Sequence, residues 1–293
     1  MALLALALAL TACGTSTPPK AAAGDPAAVS GPADPEVVAL LPASVKEKGE
    51  LVIGMEAQYP PFEFRDADNK TIVGFDADIA AHLASLMGLR LTLEDAAFDS
   101  IIPSLASGRY NLGISGFTVT AERQQQVDFV TYYYEGDGLL VKSGNPDGLA
   151  VDDTLCGVKV AVLKGSTQNL TSVGELDKKC AAAGKDDVDA SVVPGSNDLG
   201  LALQSGRVKA VLTDGTNAGY TAKQSDGKFE VAAGPPFNPA PFGIASQKDS
   251  GLDKAVQKAL EQMLADGSYQ KTLDKWGMGA GAIDSVKINE VVG

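Results

Sequence analysis

The chain has 293 residues, of which 45% are hydrophobic and 21% are charged, a composition typical of a globular protein. This length is sufficient for one large domain or for two smaller ones. The formal net charge is -13, from 24 Lys and Arg against 37 Asp and Glu, and this surplus of negative charge disfavours binding to nucleic acid or to anionic lipid surfaces. A local cationic pocket for a small anion is still compatible with these numbers.

The N-terminus starts with an apolar run. Residues 2–10 are only Ala and Leu, and the run is shorter than the roughly 20 apolar residues that span a bilayer. It leads into Leu10-Thr11-Ala12-Cys13 and resembles a bacterial lipoprotein signal, which implies that residues 1–13 form the signal and that Cys13 is lipidated. No Lys or Arg precedes the run, which would place the true start of translation upstream. The alternative is a buried helix that ends in an unremarkable cysteine.

Residues 14–45 are predicted to form a disordered tether. The segment from Gly14 to Pro35 consists mostly of Pro, Ala, Ser, Thr and Gly, and it cannot bury enough apolar surface to order itself. We therefore expect the folded part of the chain to begin near Lys46.

From Glu50 onward, short apolar runs alternate with helical patterns. Strands are predicted at LVIGM, LRLTLED and NLGISG, and helices at GFDADIAAHLASLMG, where Asp76 is available as a cap, and at DSIIPSLASG, which ends at Gly108. Strands that alternate with helices indicate an α/β layer with a mainly parallel sheet.

A second α/β series begins near Gly157. Strands are predicted at VKVAVL, ASVVPG, KAVLTD and FEVAAG, and helices at a segment opening at Ser166, at SNDLGLALQSG and at GTNAGYTAKQ. The extended runs YYYEGDGLLVKSGNP and PPFNPAPFGIASQKD connect the two series, and the final helices, Gly251–Ala265 and GSYQKTLDKWG, need partners in the first. The sequence therefore predicts two α/β lobes joined by two crossover strands. Lobe 1 comprises residues 46–140 and 244–293, and lobe 2 comprises residues 141–243.

Cysteine usage depends on the cellular compartment. Export would expose Cys156 and Cys180 to an oxidising environment, where they can form a disulfide; the alternative is two free buried thiols. A zinc site is not expected, because the chain has no CxxC pattern and its one histidine, His82, lies in a helical pattern.

Five motifs occur in a characteristic order: LVIGMEAQYPPFEF, GFDADIAAHLA, FDSIIPSLASGRYNLGISGFTVTAERQQQVDF, VAVLKGSTQ and LQSGRVKAVLTD. Each is weakly specific alone, but together, from about Lys46 to Gly277, they resemble the extracytoplasmic solute-binding proteins of ABC importers for polar amino acids, solute-binding protein family 3. The resemblance implies a two-lobed periplasmic-binding-protein-like fold of type II and binding of a free L-amino acid of the arginine/lysine or glutamine class. It also implies delivery to an ABC transporter permease by hinge closure, a lipid-anchored monomer on the outer face of the bacterial cell membrane, and no catalysis, cofactor or metal.

An amino-acid ligand has a carboxylate that needs a partner when the cleft closes and excludes water. Arg123, in the stretch SGFTVTAER, matches the family's arginine, and a guanidinium pairs with a carboxylate through two parallel hydrogen bonds. Backbone N–H groups around Gly116 and Thr118, and at Thr167 where a helix opens, are expected to add donors. The alternatives are a salt bridge from Arg123 to an acidic neighbour (Glu122 or Asp128) and simple helix capping by Ser166 and Thr167.

The ligand's ammonium group needs an acid. Asp214 ends the strand KAVLTD, and open α/β sheets bind ligands at the carboxyl ends of their strands. By resemblance, the hydroxyl of Thr118, where the family has serine, and the carbonyl of Ser115 complete the ammonium site. The alternative for Asp214 is an N-cap of the following helix.

The ligand's side chain is expected to contact aromatic and polar groups. By resemblance, Tyr59 and Phe98 are aromatic walls, Glu56 faces the side-chain tip and Gln168 adds a polar contact; ordinary core packing is the alternative for the two aromatic residues. The family's basic-amino-acid binders have aspartate where this chain has Glu56, so the longer arm affects the preferred ligand size. Asp76 and Asp78 are interpreted as helix-capping residues and not as ligand contacts.

Two other classes of protein share this scaffold. Cyclohexadienyl dehydratases hold a substrate carboxylate on the same arginine and need a general acid, for which Glu56 is the available group. The third possibility is the ligand-sensing domain of a receptor. The aspartate suited to an α-ammonium and the predicted tether favour the binding protein over the enzyme.

Overall fold

The computed structural model describes residues 31–290, and its elements follow the predicted order. The first part of the chain forms α1 (Pro35–Leu40), α2 (Ala43–Lys48), β1 (Glu50–Met55), β2 (Gln58–Tyr59), β3 (Glu63–Arg65), β4 (Ile72–Val73), α3 (Phe75–Met87), β5 (Arg90–Asp95), α4 (Phe98–Ala106) and β6 (Leu112–Gly113). A 3₁₀ turn at Arg123–Gln125 then leads into a long strand, β7 (Val127–Lys142).

The second part begins after a 3₁₀ turn at Asp153–Leu155. It forms β8 (Lys159–Leu163), a π-helical turn (Gln168–Ser172) that continues into α5 (Val173–Ala182), β9 (Asp189–Val193), α6 (Ser196–Gln204), β10 (Ala210–Asp214), α7 (Gly215–Gln224) and β11 (Phe229–Val231). The chain returns through β12 (Phe237–Gln247), α8 (Leu252–Asp266), α9 (Ser268–Trp276) and a 3₁₀ turn at Gly279–Gly281.

The main sheet has the strand order β5-β1-β6-β12-β7-β10-β8-β9, and β11 pairs with β7. At one end β1 is parallel to β5 and β6, and at the other β8 is parallel to β9 and β10. Between them, β7 and β12 run antiparallel to each other and to the strands that they join. The predicted two-lobed α/β fold with two crossover strands is therefore confirmed.

The lobes meet within the crossover strands. Residues 127–135 of β7 pair with β12, Asp137 pairs with both β12 and β10, and residues 138–141 pair with β10. The first strand thus changes lobe near Gly136, earlier in the chain than the predicted boundary at residue 140.

The predicted tether is wrong at its C-terminal end. Residues 35–40 and 43–48 are helical, and Asp34 caps α1 by accepting hydrogen bonds from the backbone N–H groups of Glu36 and Val37. Val37 is completely buried against the core of the first lobe. Leu41 and Val45 are buried in the same cluster, and these apolar contacts together with the cap order the segment, so the folded part begins near Asp34. Residues 1–30, including the predicted signal, Cys13 and the rest of the tether, lie outside the described residues.

Apolar clusters fill each lobe. Cys156 and Cys180 form a disulfide beside the apolar cluster of the second lobe, which links the segment before β8 to α5. A third cluster contains α4 side chains such as Phe98 together with Leu163 and Leu199 of the second lobe, so the two lobes also pack on each other. Within residues 31–290, the helices are all too short or too polar to cross a bilayer.

Candidate functional site

The predicted ligand-binding residues surround one cavity at the junction of the lobes, with a volume of about 20 Å³. Its lining contains Glu56, Tyr59, Phe98, Ser115, Gly116, Thr118, Arg123, Thr167, Gln168 and Asp214. Several of them lie at or just beyond the carboxyl ends of strands, where an open α/β sheet places its ligands. Glu56 follows β1, Ser115 follows β6 and Asp214 ends β10.

Arg123 is buried and reaches both lobes. Its Nη1 donates to the carbonyl of Thr118 at 2.8 Å and its Nη2 to the carbonyl of Gly165 in the second lobe at 3.0 Å. The guanidinium carbon lies 5.6 Å from the ring centroids of both Phe98 and Phe117, close enough for a cation–π contact. Packing and hydrogen bonds therefore hold the guanidinium group of Arg123 in one orientation.

The charge of Arg123 has no ionic partner in the described part of the chain. The two predicted salt bridges do not form, because Asp128 pairs with Lys248 and neither Asp128 nor Glu122 makes an ion pair with Arg123. Burial lowers the pKa of Arg123 to about 10, opposed by attraction to Asp214 and Glu122, so the group remains charged at neutral pH. A buried cation in this state is stabilised by any anion that enters the cavity.

Asp214 is the corresponding buried acid on the second lobe. Its carboxylate accepts hydrogen bonds from the hydroxyl of Tyr59 and from Nε2 of Gln168, the latter at 2.8 Å. Burial, reinforced by Glu135 and Asp137, raises its pKa well above the ordinary value for aspartate. A cation placed here would lower that pKa and stabilise the carboxylate.

Asp214 occupies the N-cap position of α7, but its side chain does not cap the helix. Instead Glu135, on the crossover strand β7, accepts a hydrogen bond from the backbone N–H of Thr216 at 3.2 Å. The carboxylate of Asp214 is therefore directed into the cavity, and the capping alternative is wrong.

Gln168 links two acids. Its Nε2 donates to Asp214 and, at 2.6 Å, to Asp137, which also accepts a hydrogen bond from the hydroxyl of Ser172 at 2.5 Å. Asp137 lies directly opposite Asp214 in the pairing of β7 with β10. The second lobe thus concentrates acidic groups at the end of β10.

Glu56 is held by the second lobe. Its two carboxylate oxygens accept the backbone N–H and the hydroxyl of Ser196, at 2.9 and 2.8 Å. Ser196 is the first residue of α6, so the acid lies at a helix N-terminus, where unpaired N–H groups and the helix dipole favour a negative charge. Burial nevertheless raises the pKa of Glu56 to about 7.

The two aromatic residues differ in their surroundings. Tyr59 stacks on Phe62 with 5.7 Å between ring centroids, and its hydroxyl lies 3.1 Å from the hydroxyl of Thr213 as well as bonding to Asp214. Phe98 stacks on Phe117 with 4.8 Å between centroids. Both rings line the cavity and also belong to the apolar packing around it, so lining and core packing coexist.

The loop after β6 differs from its prediction at one point. The hydroxyls of Thr118 and Thr167 lie 3.2 Å apart across the lobes. The backbone N–H of Gly116, expected as a donor to the ligand's carboxylate, instead donates to Asp76 at 3.2 Å. Asp76 was also expected to cap α3, yet Gly74 occupies the N-cap position and Asp76 lies in the interior.

Sequence reasoning missed Ser196 and Thr213, which contact cavity residues of the first lobe. Ser196 begins a helix directly after β9, and that position could have marked it as a residue near the cleft. No local signal links it to Glu56, which is 140 residues away in the chain.

Two α/β lobes, two crossover strands and a cavity lined by both lobes define the class of two-lobed binding proteins. The chain belongs to the bacterial extracellular solute-binding proteins, family 3, whose sequence profile matches residues 51–279. This family is extracytoplasmic by definition.

Similar proteins bear names that refer to amino acids. The arginine-binding protein ArgT of Corynebacterium glutamicum is 30% identical over 256 residues, which cover 87% of this chain and 83% of that protein. An ancestral arginine-binding protein bound to arginine is 36% identical with a TM-score of 0.69, covering 78% of this chain and 98% of its own. The ancestral amino-acid-binding protein AncCDT-1, a precursor of cyclohexadienyl dehydratase, is 32% identical with a TM-score of 0.69, covering 80% and 97%.

Proposed function

We propose that the protein binds a free polar or basic L-amino acid between its lobes and delivers it to the permease of an ABC transporter by hinge closure. The observation that carries this proposal is the presence of Arg123 and Asp214 in one cavity, buried and on different lobes. A zwitterion satisfies both charges at once, with its carboxylate on the guanidinium and its ammonium on the aspartate. The names of the similar proteins support the same class of ligand.

A basic side chain suits the charges of the cavity best. Arg123 contributes one positive charge, whereas Asp214 and Glu56 contribute two acids, and Asp137 lies behind Asp214. The carboxylate and ammonium of a ligand use Arg123 and Asp214, which leaves Glu56 for a cationic side-chain tip. We therefore expect the protein to bind arginine or lysine more tightly than glutamine.

Hinge closure follows from the origin of the lining residues. Arg123, Tyr59 and Glu56 belong to the first lobe, whereas Gln168 and Asp214 belong to the second, so a ligand that contacts both sets binds the closed form more tightly. The ligand thereby shifts the population toward the shape that the permease recognises.

The decisive experiment is a ligand screen on protein that has been unfolded, dialysed and refolded to remove any ligand acquired during expression. We expect arginine or lysine to raise the melting temperature most, because a ligand that binds only the native state stabilises it. Calorimetry then gives the affinity and stoichiometry. A screen in which none of the standard amino acids raises the melting temperature would refute the proposal.

We further propose that the protein is a monomer anchored to the outer face of the cell membrane through lipid on Cys13, which lies outside the described residues. Changing Cys13 to serine should release the protein from membranes into the soluble fraction, and light scattering should give the monomer mass. A Cys13→Ser protein that fractionates with membranes as the parent does would contradict the anchor.

A dehydratase is the second candidate, favoured by one observation. Glu56 is a buried carboxyl group whose pKa is raised to about 7, as a general acid requires, and AncCDT-1 has a similar fold. Incubation with prephenate or arogenate distinguishes the two functions. We expect no aromatic product, whereas turnover that is lost in Glu56→Gln would establish the enzyme.

A further inference from the structure

Two carboxyl groups lie behind the cavity and are not used by the proposed function. Glu63 on β3 and Asp76 on α3 are both 0% exposed. They come together because the start of α3 packs against the residue before β3. The backbone N–H of Asp76 donates to the carbonyl of Phe62 at 2.8 Å. Gly74 permits this approach, since it has φ of 134° and a Cβ there would lie 2.1 Å from the carbonyl oxygen of Phe62.

Each acid holds one residue of the loop that lines the cavity. The hydroxyl of Ser115 donates to Oε1 of Glu63 at 2.5 Å, and the backbone N–H of Gly116 donates to Oδ2 of Asp76 at 3.2 Å. Gly116 turns the loop with a φ of 56°, in the left-handed region that favours glycine. The hydroxyl of Tyr132 donates to both oxygens of Asp76, at 2.9 and 3.0 Å.

The remaining oxygen of the pair has no such partner. Oε2 of Glu63 is buried and accepts from no N–H or hydroxyl donor between residues 31 and 290, which leaves it available to share a proton with Asp76. A protonated Glu63 that donates to Asp76 satisfies this oxygen, so the two carboxyl groups form one hydrogen-bonded unit.

The groups that face the two carboxyl groups are either acidic or uncharged. Tyr132 faces it from β7, Ser115 and Gly116 from the loop, and Glu56 from the end of β1. Burial, together with the neighbouring carboxyl group, raises the pKa of Glu63 well above its ordinary value, and burial also raises that of Asp76. Two adjacent buried carboxyl groups cannot both ionise near neutral pH, so the pair shares one proton and one negative charge.

We infer that Glu63 and Asp76 are positioning residues for the ligand: they fix Ser115 and Gly116 at the cavity wall, and their single negative charge stabilises a ligand cation held by this loop. This inference rests on the proposed function, because it requires a ligand with an ammonium group. A cation beside the pair favours the form with one negative charge. At pH values where the pair carries two protons in the free protein, binding therefore releases a proton. Affinity should therefore fall as the pH is lowered through the titration of the pair.

The test compares the affinity of the parent protein and three variants for arginine by calorimetry between pH 5 and 8. Glu56 and Asp214 also have raised pKa values, so the readout is the difference between each variant's pH profile and that of the parent. Titration in two buffers with different ionisation enthalpies counts the protons released at each pH.

We expect Asp76→Asn to weaken binding at pH 7.5 on the order of tenfold, the equivalent of one pKa unit of coupling, and to flatten the pH profile. Glu63→Gln keeps an acceptor for Ser115 and resembles the protonated acid, so it should bind within about threefold of the parent, a loss well below one pKa unit of coupling. The hydrogen bond from Glu63 lowers the pKa of Asp76, and an amide is a weaker donor than a carboxylic acid. The pKa of Asp76 should therefore rise in this variant, and the fall in its affinity should move to higher pH.

The matched control is Asp128→Asn. Asp128 is also a buried acid of the first lobe that accepts several hydrogen bonds, from Lys248, Asn289 and the backbone of Asp249, but it does not contact the cavity. This variant should lose stability and keep the parent's affinity and pH profile.

The outcomes separate the two proposals. If the parent binds arginine and Asp76→Asn binds with the same affinity and pH profile, the inference about the pair is wrong and the proposed function stands. If Asp76→Asn does not fold, the Glu63→Gln profile decides, and an unshifted profile overturns the inference. If the parent binds no amino acid, the proposed function fails and the inference fails with it.

Discussion

Arg123 and Asp214 lie on different lobes at one buried cavity, and within residues 31–290 neither forms a salt bridge. Among the described residues, the guanidinium of Arg123 donates only to backbone carbonyls, and the carboxylate of Asp214 accepts only from a tyrosine hydroxyl and a glutamine amide. Neutral partners compensate poorly for the desolvation of a full charge. Arg123 and Asp214 are therefore suited to a zwitterionic ligand, which carries one charge of each sign.

Changing Arg123 to alanine should abolish measurable amino-acid binding. Removal of one partner from a buried charge pair in an interface costs about 2–5 kcal/mol, which is a loss of roughly 30-fold to several thousand-fold in affinity. Calorimetry measures this loss, and chemical denaturation should show that the variant is at least as stable as the parent, because a buried charge is removed. Arg109→Ala is the control, since Arg109 is exposed and pairs with Glu94 on the surface. Unchanged affinity in Arg123→Ala would refute the carboxylate assignment.

Changing Glu56 to glutamine should weaken arginine or lysine binding much more than glutamine binding. The cavity loses an acid that a cationic side-chain tip needs, whereas a neutral tip can bond to either side chain. Competition calorimetry with the three ligands measures the ratio, and Glu47→Gln on the exposed face of α2 is the control. Equal losses for all three ligands would mean that Glu56 does not sense side-chain charge.

The raised pKa of Glu56 also predicts a pH dependence of folding. Between its ordinary value of 4.5 and about 7, the unfolded chain ionises this carboxyl group while the folded protein keeps it protonated. The unfolded state therefore binds fewer protons in this window, and the contribution of Glu56 to the free energy of unfolding decreases as the pH rises through it. The difference between parent and Glu56→Gln, measured by urea denaturation at several pH values, should show this slope. A constant difference from pH 4 to 8 would contradict the raised pKa.

Changing Ser196 to alanine should raise the pKa of Glu56 further. The hydroxyl of Ser196 stabilises the carboxylate through a hydrogen bond of 2.8 Å, and the backbone N–H remains in the variant. We expect weaker arginine binding at pH 7, recovered at higher pH, because more Glu56 is protonated. The measurement is affinity against pH, with Ser205→Ala near the end of α6 as the control. A profile identical to that of the parent would show that the Ser196 hydroxyl does not stabilise the charge.

Removing the disulfide should affect stability and leave binding intact. The bond closes a loop with a sequence separation of 24 residues, for which the chain-entropy model gives about 3 kcal/mol. Neither cysteine lines the cavity. Denaturation of a Cys156→Ser, Cys180→Ser double variant should therefore show a loss of that size, with unchanged affinity at 25 °C. A large loss of affinity in folded protein would show that the bond also shapes the site.

Local sequence patterns determined the order of the strands and helices, because apolar periodicity and breaker residues act over a few positions. The same locality explains why the residues that line the cavity could be found: Glu56, Ser115 and Asp214 each end or follow a strand, and in this fold those ends meet. The resemblance of the motifs to the family then indicated which part of the ligand each of these residues contacts.

Only the tertiary structure decided which of these groups touch. The pattern around Asp76 indicated a cap, yet the approach of β3 to α3 buries it beside Glu63, and Ser196 meets Glu56 only because two lobes close on each other. Val37 likewise orders a part of the predicted tether, through contacts with distant parts of the first lobe. Burial and the pairing of charges depend on contacts between residues far apart in the chain, and a local pattern carries no information about those contacts.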